Sequence, residues 1–304
     1  AQAQPPANAV DVSAISKDLR GMLDAEPDLQ VVGEASSGAD GVAHFDSQDA
    51  LFGSDVTVDA VSLCTPPQVR YDLAAAAIAQ GLHVFLEKPP GATVAEVQAL
   101  EAAAARAGVT LFASWHSRFA AGVAPAKAWL ASREIRGVAI TWREDVRVWH
   151  PGQDWIWEPG GLGVFDPGIN ALSIATEILP RPFFLTDATL QLPANRAAPI
   201  AADLRFRDEA GTPITMDLDW RQEGPQSWDI VVDTDAGPCC LSRGGAVLSL
   251  PDREETAPDR EYAGLYDRFA DLIAAGRSEV DIAPFQLVAD AFLRGSREMV
   301  DPFD

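Results

Sequence analysis

The stretch VSLCTPPQVRYDLAAAAIAQGLHVFLEKPP, residues 61–90, decides the fold of this 304-residue chain. A short apolar run from Ala60 to Cys64 ends at Thr65-Pro66-Pro67. An alanine-rich segment from Tyr71 to Gln80 reads as a helix, and His83 to Leu86 is apolar again before Glu87-Lys88-Pro89-Pro90. Strand, helix and strand of these lengths make a parallel unit. Each pair of prolines stops a strand at the carboxyl edge of the sheet, where open parallel sheets bind their ligands.

The same alternation extends outward. Before it, Ala14 to Ala25 reads as a helix and Leu29 to Ala35 as a strand. After it, Val94 to Ala107 reads as a helix opened by Thr93, and Thr110 to Ala113 as a strand. Beyond about residue 137 the pattern changes. Gly137 to Val146, Leu185 to Leu192, Ala201 to Phe206, Pro213 to Trp220, Trp228 to Thr234 and Cys239 to Ser242 read as strands, several with alternating polarity. That alternation predicts an antiparallel sheet with one wet face. Helices at Tyr262 to Ala275 and Ile282 to Val300 close the chain. The predicted class is α/β. Residues 1–120 form a Rossmann-like, doubly wound parallel domain. Residues 121–304 form a substrate-binding α/β domain with a large, mostly antiparallel open sheet, its C-terminal helices packing back toward the first.

A formal net charge of −22 argues against nucleic acid or an anionic membrane as partner and favours a small ligand. No apolar run reaches membrane length, and the polar start lacks the basic and hydrophobic regions of an export signal, so the expectation is a cytoplasmic protein. Cys64, Cys239 and Cys240 offer neither a disulfide framework nor a ligand spacing. No His-Glu-x-x-His joins His116, His150, Glu144 and Asp166, so no metal is expected.

Lys88 is one of three lysines, with Lys17 and Lys127, against twenty arginines. An ammonium is a compact charge whose proton can leave when burial and neighbours lower its pKa, which a guanidinium does not match. Polar and aromatic groups then crowd residues 115–170: Trp115-His116, Glu144, Trp149-His150, Trp155, Trp157, Asp166 and Asn170. Tryptophan offers a flat apolar face and one donor, which suits a sugar ring, although the seam between two domains uses it too. If a helix begins at Gly168, Asp166 and Asn170 share a face. A helix N-cap is the other reading of Asp166.

Glu87-Lys88-Pro89 after a parallel strand, and Asp166 in a glycine-rich segment of the second domain, resemble the Gfo/Idh/MocA oxidoreductases. Val61 to Pro67, Trp115-His116-Ser117-Arg118, Trp149 to Gln153 and Gly161 to Asn170 resemble that family's bacterial aldose 1-dehydrogenases, of the L-arabinose and D-galactose type. The resemblance covers most of residues 41–304. It implies oxidation of a pyranose at C1 to the aldonolactone, with hydride passing to NAD or NADP. It places Lys88 and Asp166 at the C1 hydroxyl, with Asp166 as base or relay and Lys88 polarising, roles that could exchange. It lines the sugar site with His116, Glu144, Trp149, His150, Asn170 and Trp228. Ser13, Ala14, Ser36, Ser37, Thr65, Pro66, Glu87 and Lys88 are implied along the cofactor. The free face of the second sheet is implied as a homo-oligomer contact.

The chain departs from the family at its start. The Gly-x-Gly-x-x-Gly turn that approaches a pyrophosphate falls on Val10-Asp11-Val12-Ser13-Ala14-Ile15. Valine side chains and the Asp11 charge there weaken dinucleotide binding. The alternative is therefore a non-catalytic sugar-binding or regulatory protein on the same scaffold. Ser36-Ser37 supplies no basic clamp for a 2′-phosphate, which favours NAD. Asp18 to Val42 also resembles the start of a receiver domain, but Val61-Ser62-Leu63-Cys64 lacks the phosphoacceptor aspartate, so the likeness is read as a shared βαβ pattern.

Overall fold

The computed structural model describes residues 33–35, 43–45 and 47–304. The expected helix at 14–25, the expected glycine-turn segment at 10–15, and the cofactor candidates Ser13, Ala14, Ser36 and Ser37 lie outside the described residues.

Strands β1 (Gly33–Ala35) and β2 (Ala43–Phe45) pair in parallel. After helix α1 (Gln48–Phe52) come β3 (Ala60–Leu63), α2 (Pro67–Ala79), β4 (His83–Leu86), α3 (Val94–Ala107) and β5 (Leu111–Ala113). Strands β3, β4 and β5 form a parallel sheet in that order. Helix α2 begins at Pro67, four residues before the sequence pattern placed it. Proline fits there because its missing N–H falls at a helix start, where that group has no partner. Helix α3 has the predicted bounds, closed by a capping box in which Thr93 Oγ1 accepts from the Glu96 N–H and Glu96 Oε2 accepts from the Thr93 N–H.

A turn at His116–Phe119 leads to α4 (Val123–Leu130), β6 (Ile135–Arg143), the single turn α5 (Val146–Trp149), α6 (Phe165–Ile178), β7 (Phe183–Pro193), β8 (Ala201–Asp208) and β9 (Pro213–Asp219). Then follow β10 (Ser227–Thr234), β11 (Cys239–Ser242), β12 (Val247–Leu250), β13 (Arg253–Thr256), α7 (Glu261–Ala274), α8 (Ala283–Arg294) and β14 (Ser296–Val300). The nine-stranded sheet has the order β13-β12-β11-β10-β6-β9-β8-β7-β14. It is mostly antiparallel, with β6 parallel to β9 and β7 parallel to β14.

Two sequence expectations are corrected, and two strands went unread. The helix expected at 282–300 ends at Arg294. Gly295 takes an extended backbone (φ −65°, ψ 135°) and residues 296–300 become a strand on the open edge of β7. Strands β12 and β13, joined at Pro251-Asp252, were too short to show a period. Helix α6 starts at Phe165, three residues before Gly168, because Pro167 is tolerated in a first turn.

The parallel strands alternate between two cores. Leu63, Val84, Leu86 and Leu111 pack on Ala74, Ala77 and Ile78 of α2 and on Leu100 and Ala104 of α3. Phe85 and Phe112 face the other way, against Leu265, Tyr266, Phe269 and Leu272 of α7. Each ring so buried contributes about 2–3 kcal/mol. In the large sheet, Val138, Ile140 and Trp142 of β6 and Ile214, Met216 and Leu218 of β9 bury one face in the same core as Ile169, Leu172 and Ile174 of α6. The packing brings the first turn of α6 to the carboxyl end of β4. Among the described residues no helix is long and apolar enough to cross a membrane, and no group of three or more His, Cys, Asp or Glu could hold a metal ion.

Candidate active site

Lys88 follows β4 and Asp166 lies in the first turn of α6, 78 residues later. Lys88 Nζ donates to Asp166 Oδ2 at 3.1 Å and to the Asp166 backbone carbonyl at 3.0 Å. Asp166 is therefore not a helix cap: Val164 holds the N-cap position, without a side-chain cap bond. Asp166 is 4% exposed. Burial pushes its pKa up, but the charges of Lys88 and His150, with the Lys88 hydrogen bond, outweigh that and hold it below the ordinary carboxylate value. An ammonium has three donors, so two bonds to Asp166 leave one for a further ligand.

His150 comes next, just after α5. Its Nδ1 lies 3.9 Å from Asp166 Oδ2 and its Nε2 3.3 Å from Glu144 Oε1. The longer separation exceeds a direct hydrogen bond and suits a bridging hydroxyl or water. Glu144 is 2% exposed. Its Oε1 also accepts from Trp220 Nε1 at 3.2 Å, and its Oε2 accepts from Trp228 Nε1 at 2.8 Å. The carboxylate expected to line a sugar site thus accepts from two indole N–H groups, lies beside the His150 ring and retains capacity on Oε2. Trp149, 44% exposed, tilts against Trp228 with centroids 4.8 Å apart. Asn170 is half-buried on α6, one turn beyond Asp166. His116 hydrogen-bonds Glu261 through Nδ1 at 2.6 Å, and its ring is near enough to Asp166 to act on that carboxylate.

The remaining aromatics serve packing. Trp115 is core and donates to the Asp281 carbonyl at 2.9 Å, and Trp157 packs on Trp220. The seam reading of tryptophan describes these.

On the other side of Lys88, Thr65 Oγ1 and Glu87 Oε1 are buried polar atoms without a hydrogen-bond partner, at the carboxyl ends of β3 and β4. Glu87 Oε2 accepts from the Lys88 N–H at 2.8 Å. Unsatisfied donors and acceptors at strand ends fit the polar nicotinamide end of a dinucleotide.

Sequence reasoning missed Arg70, Trp220, Glu261 and Tyr262. Arg70, 2% exposed, sends its guanidinium to the carbonyls of Thr65, Glu87 and Pro89, tying the two proline loops together. Burial, opposed by the charges of Glu87, Cys64 and Asp166, brings its pKa down to about 10. The visible signal was a lone cation in an alanine-rich helix.

The family described as an oxidoreductase family with an NAD-binding Rossmann fold, GFO_IDH_MocA, matches residues 4–114. Galactose 1-dehydrogenase of Pseudomonas fluorescens is 41% identical over 287 residues, covering 92% of each chain. The crystal structure of D-galactose-1-dehydrogenase from Rhizobium etli superposes with a TM-score of 0.90 at 55% identity, covering 93% of this chain and 92% of that one. A 3-ketoreductase from Actinomadura kijaniata, solved with NADP and TDP-benzene, shares the fold at 19% identity, with a TM-score of 0.80 over 96% of this chain and 97% of that one.

Proposed function

The chain belongs to the Gfo/Idh/MocA oxidoreductase family, and we propose that it is an NAD(P)-dependent aldose 1-dehydrogenase taking a D-galactose- or L-arabinose-type pyranose to its aldonolactone. The observation that carries this reading is the 3.1 Å contact of Lys88 Nζ with Asp166 Oδ2 beside the unpartnered Thr65 and Glu87 oxygens. The two named galactose dehydrogenases support the substrate class.

The C1 hydroxyl is placed between Lys88 and Asp166. The free N–H of Lys88 donates to the hydroxyl oxygen and stabilises the negative charge that grows there. Asp166, held ionised, takes the hydroxyl proton, and the titration belongs to the pair. A bound nicotinamide dinucleotide supplies the acceptor for the C1 hydride. Thr65, Pro66 and Glu87 hold its nicotinamide end, and the lack of a basic residue at Ser36-Ser37 favours NAD. His150, between Glu144 and Asp166, receives a neighbouring hydroxyl. Trp149 and Trp228 cover the C–H face of the ring, and Asn170 and His116 meet the remaining hydroxyls.

The test is direct: incubation with D-galactose or L-arabinose and NAD or NADP while following absorbance of the reduced dinucleotide. Reduction of either cofactor is expected, faster with NAD. Absence of reduction with any aldose, alongside measurable sugar binding, rejects the enzyme in favour of a binding protein.

A further inference from the structure

His116 reaches the site from the turn after β5, and its ring is held from one side. Nδ1 lies 2.6 Å from Glu261 Oε2, the ring stacks on Tyr262 with centroids 5.5 Å apart and planes 7° apart, and Ser117 Oγ lies 3.3 Å from the same nitrogen. Among the described residues, Nε2 has no hydrogen-bond partner. Glu261 and Tyr262 are consecutive in the first turn of α7, whose Leu265, Tyr266 and Phe269 seal the parallel sheet. Their footing is therefore a packed helix rather than a loop. Glu261 is further fixed by its backbone N–H, which donates to Asp259 Oδ1 at 2.8 Å. Tyr262 also lies close enough to Glu87 for that charge, after burial, to push its phenol pKa up. One helical turn thus borders both the strand end that carries Lys88 and the ring of His116.

A neutral imidazole carries one proton on one of two nitrogens, and a carboxylate only accepts. A carboxylate at Nδ1 therefore keeps the proton there and leaves Nε2 as a lone-pair acceptor. The opposite tautomer would offer a sugar hydroxyl a donor instead.

We propose that Glu261 is a positioning residue of the sugar site: it holds His116 in the Nδ1–H form, so that Nε2 accepts a hydrogen bond from one pyranose hydroxyl, while Tyr262 fixes the plane of the ring. The assignment rests on the reading of His116 as a sugar contact and names the group that sets its donor and acceptor sense. The partner recognised is a neutral hydroxyl.

The test uses the full chain labelled with nitrogen-15, with His116 identified by the loss of its ring signals in His116→Gln. Ring spectra are recorded for wild type, Glu261→Ala and Glu261→Gln, and KM for sugar and for dinucleotide is measured in each. Wild type is expected to show the Nδ1–H form and Glu261→Ala to lose it. The sugar KM should then rise roughly tenfold, about the worth of one hydrogen bond, with the dinucleotide KM held within about twofold. Glu261→Gln is nearly isosteric and its amide oxygen still accepts from Nδ1, so it should fall between the two and stands in if the alanine variant does not fold. Added to His116→Gln, Glu261→Ala should raise the sugar KM no further, because its effect passes through the ring. A wild-type ring protonated at Nε2 overturns the proposal. So does an unchanged sugar KM in Glu261→Ala, or an equal further loss on top of His116→Gln. If wild type turns over no aldose, the enzyme reading fails separately. The ring spectra and calorimetric sugar binding then still decide the role of Glu261.

Discussion

Lys88 Nζ bonds both the side chain and the backbone carbonyl of Asp166, at 3.1 and 3.0 Å, so one ammonium joins the end of β4 to the first turn of α6. Two bonds to a single residue fix direction as well as distance, leaving a third N–H for a ligand. Lys88→Ala removes that donor and the charge beside Asp166. We expect kcat to fall at least about 100-fold. The fold should survive, because the residue stands at a strand end with 17% of its side chain exposed. Steady-state kinetics with a circular-dichroism melt check both halves. Retained turnover would demote Lys88 to a structural role.

The same pair predicts a pH dependence of stability. Asp166 is pushed up by burial but held, on balance, below its ordinary value by Lys88 and His150. A lowered folded pKa contributes stability above the unfolded value of about 3.9 and loses it as pH falls through the folded one. In Lys88→Met burial prevails, the folded pKa rises, and the variant gains stability as pH falls toward the unfolded value. The stability gap between the two proteins should therefore narrow from pH 7 to about pH 4. Urea unfolding across that range measures it, and a constant gap would show that Asp166 is not coupled to Lys88.

What the sequence made legible follows from local pattern. The strands around Val61 and Val84 and the capped helix at 94–107 rest on periodicity, proline placement and a Thr93–Glu96 box, all within a few residues of one another. Lys88 and Asp166 were legible as motif residues, though nothing local says that residues 78 apart touch. Glu261 escaped for the same reason, being 145 residues from His116 and looking like an ordinary acid in the first turn of a helix. Ser296 to Val300 misled because its strand exists only through the edge of β7, which overrides local preference.

Glu144 accepts from two indole N–H groups and lies 3.3 Å from His150 Nε2 while 2% exposed, so its removal should be felt twice. Glu144→Ala strands the Trp220 and Trp228 donors and releases His150. A loss of about 3 kcal/mol in unfolding free energy is expected, together with a raised sugar KM. Glu144→Gln keeps acceptors for part of this set and should lose less of both. Urea titrations and sugar kinetics on the two variants separate the outcomes. Equal losses would mean that the charge, not the hydrogen-bond geometry, governs the site.

Arg70 predicts a defect on the cofactor side. Its guanidinium spans the carbonyls of Thr65, Glu87 and Pro89, so Arg70→Met leaves buried acceptors unpaired and frees the two proline loops from each other. A loss of about 3 kcal/mol in stability is expected. The dinucleotide KM should rise more than the sugar KM, since Thr65 and Glu87 are proposed to hold the dinucleotide. Lysine cannot reproduce the planar fork, and Arg70→Lys should recover only part. Sugar and dinucleotide KM rising in equal measure would contradict the loop assignment.

Gly163 offers the last test, of how the backbone sets the distance between Lys88 and Asp166. It has φ +54°, and a Cβ there would fall 2.3 Å from the Pro199 carbonyl oxygen, an atom that already accepts from the Val164 N–H at 2.8 Å. Gly163→Ala combines a left-handed backbone with a backbone clash and should cost about 3 kcal/mol. Gly152 has φ +72° but nothing within 4 Å of its Cβ position, so Gly152→Ala isolates the conformational part, about 1 kcal/mol. The clash lies three residues before Asp166. Relief by moving Gly163 away from Pro199 shifts the first turn of α6 against Lys88, and small misplacements of reacting groups are costly in rate. Gly163→Ala should therefore lower kcat well beyond its effect on sugar KM, whereas Gly152→Ala should leave the ratio of the two near that of wild type. If both variants shift kcat and KM alike, the approach of Gly163 to Pro199 does not govern the Lys88–Asp166 contact.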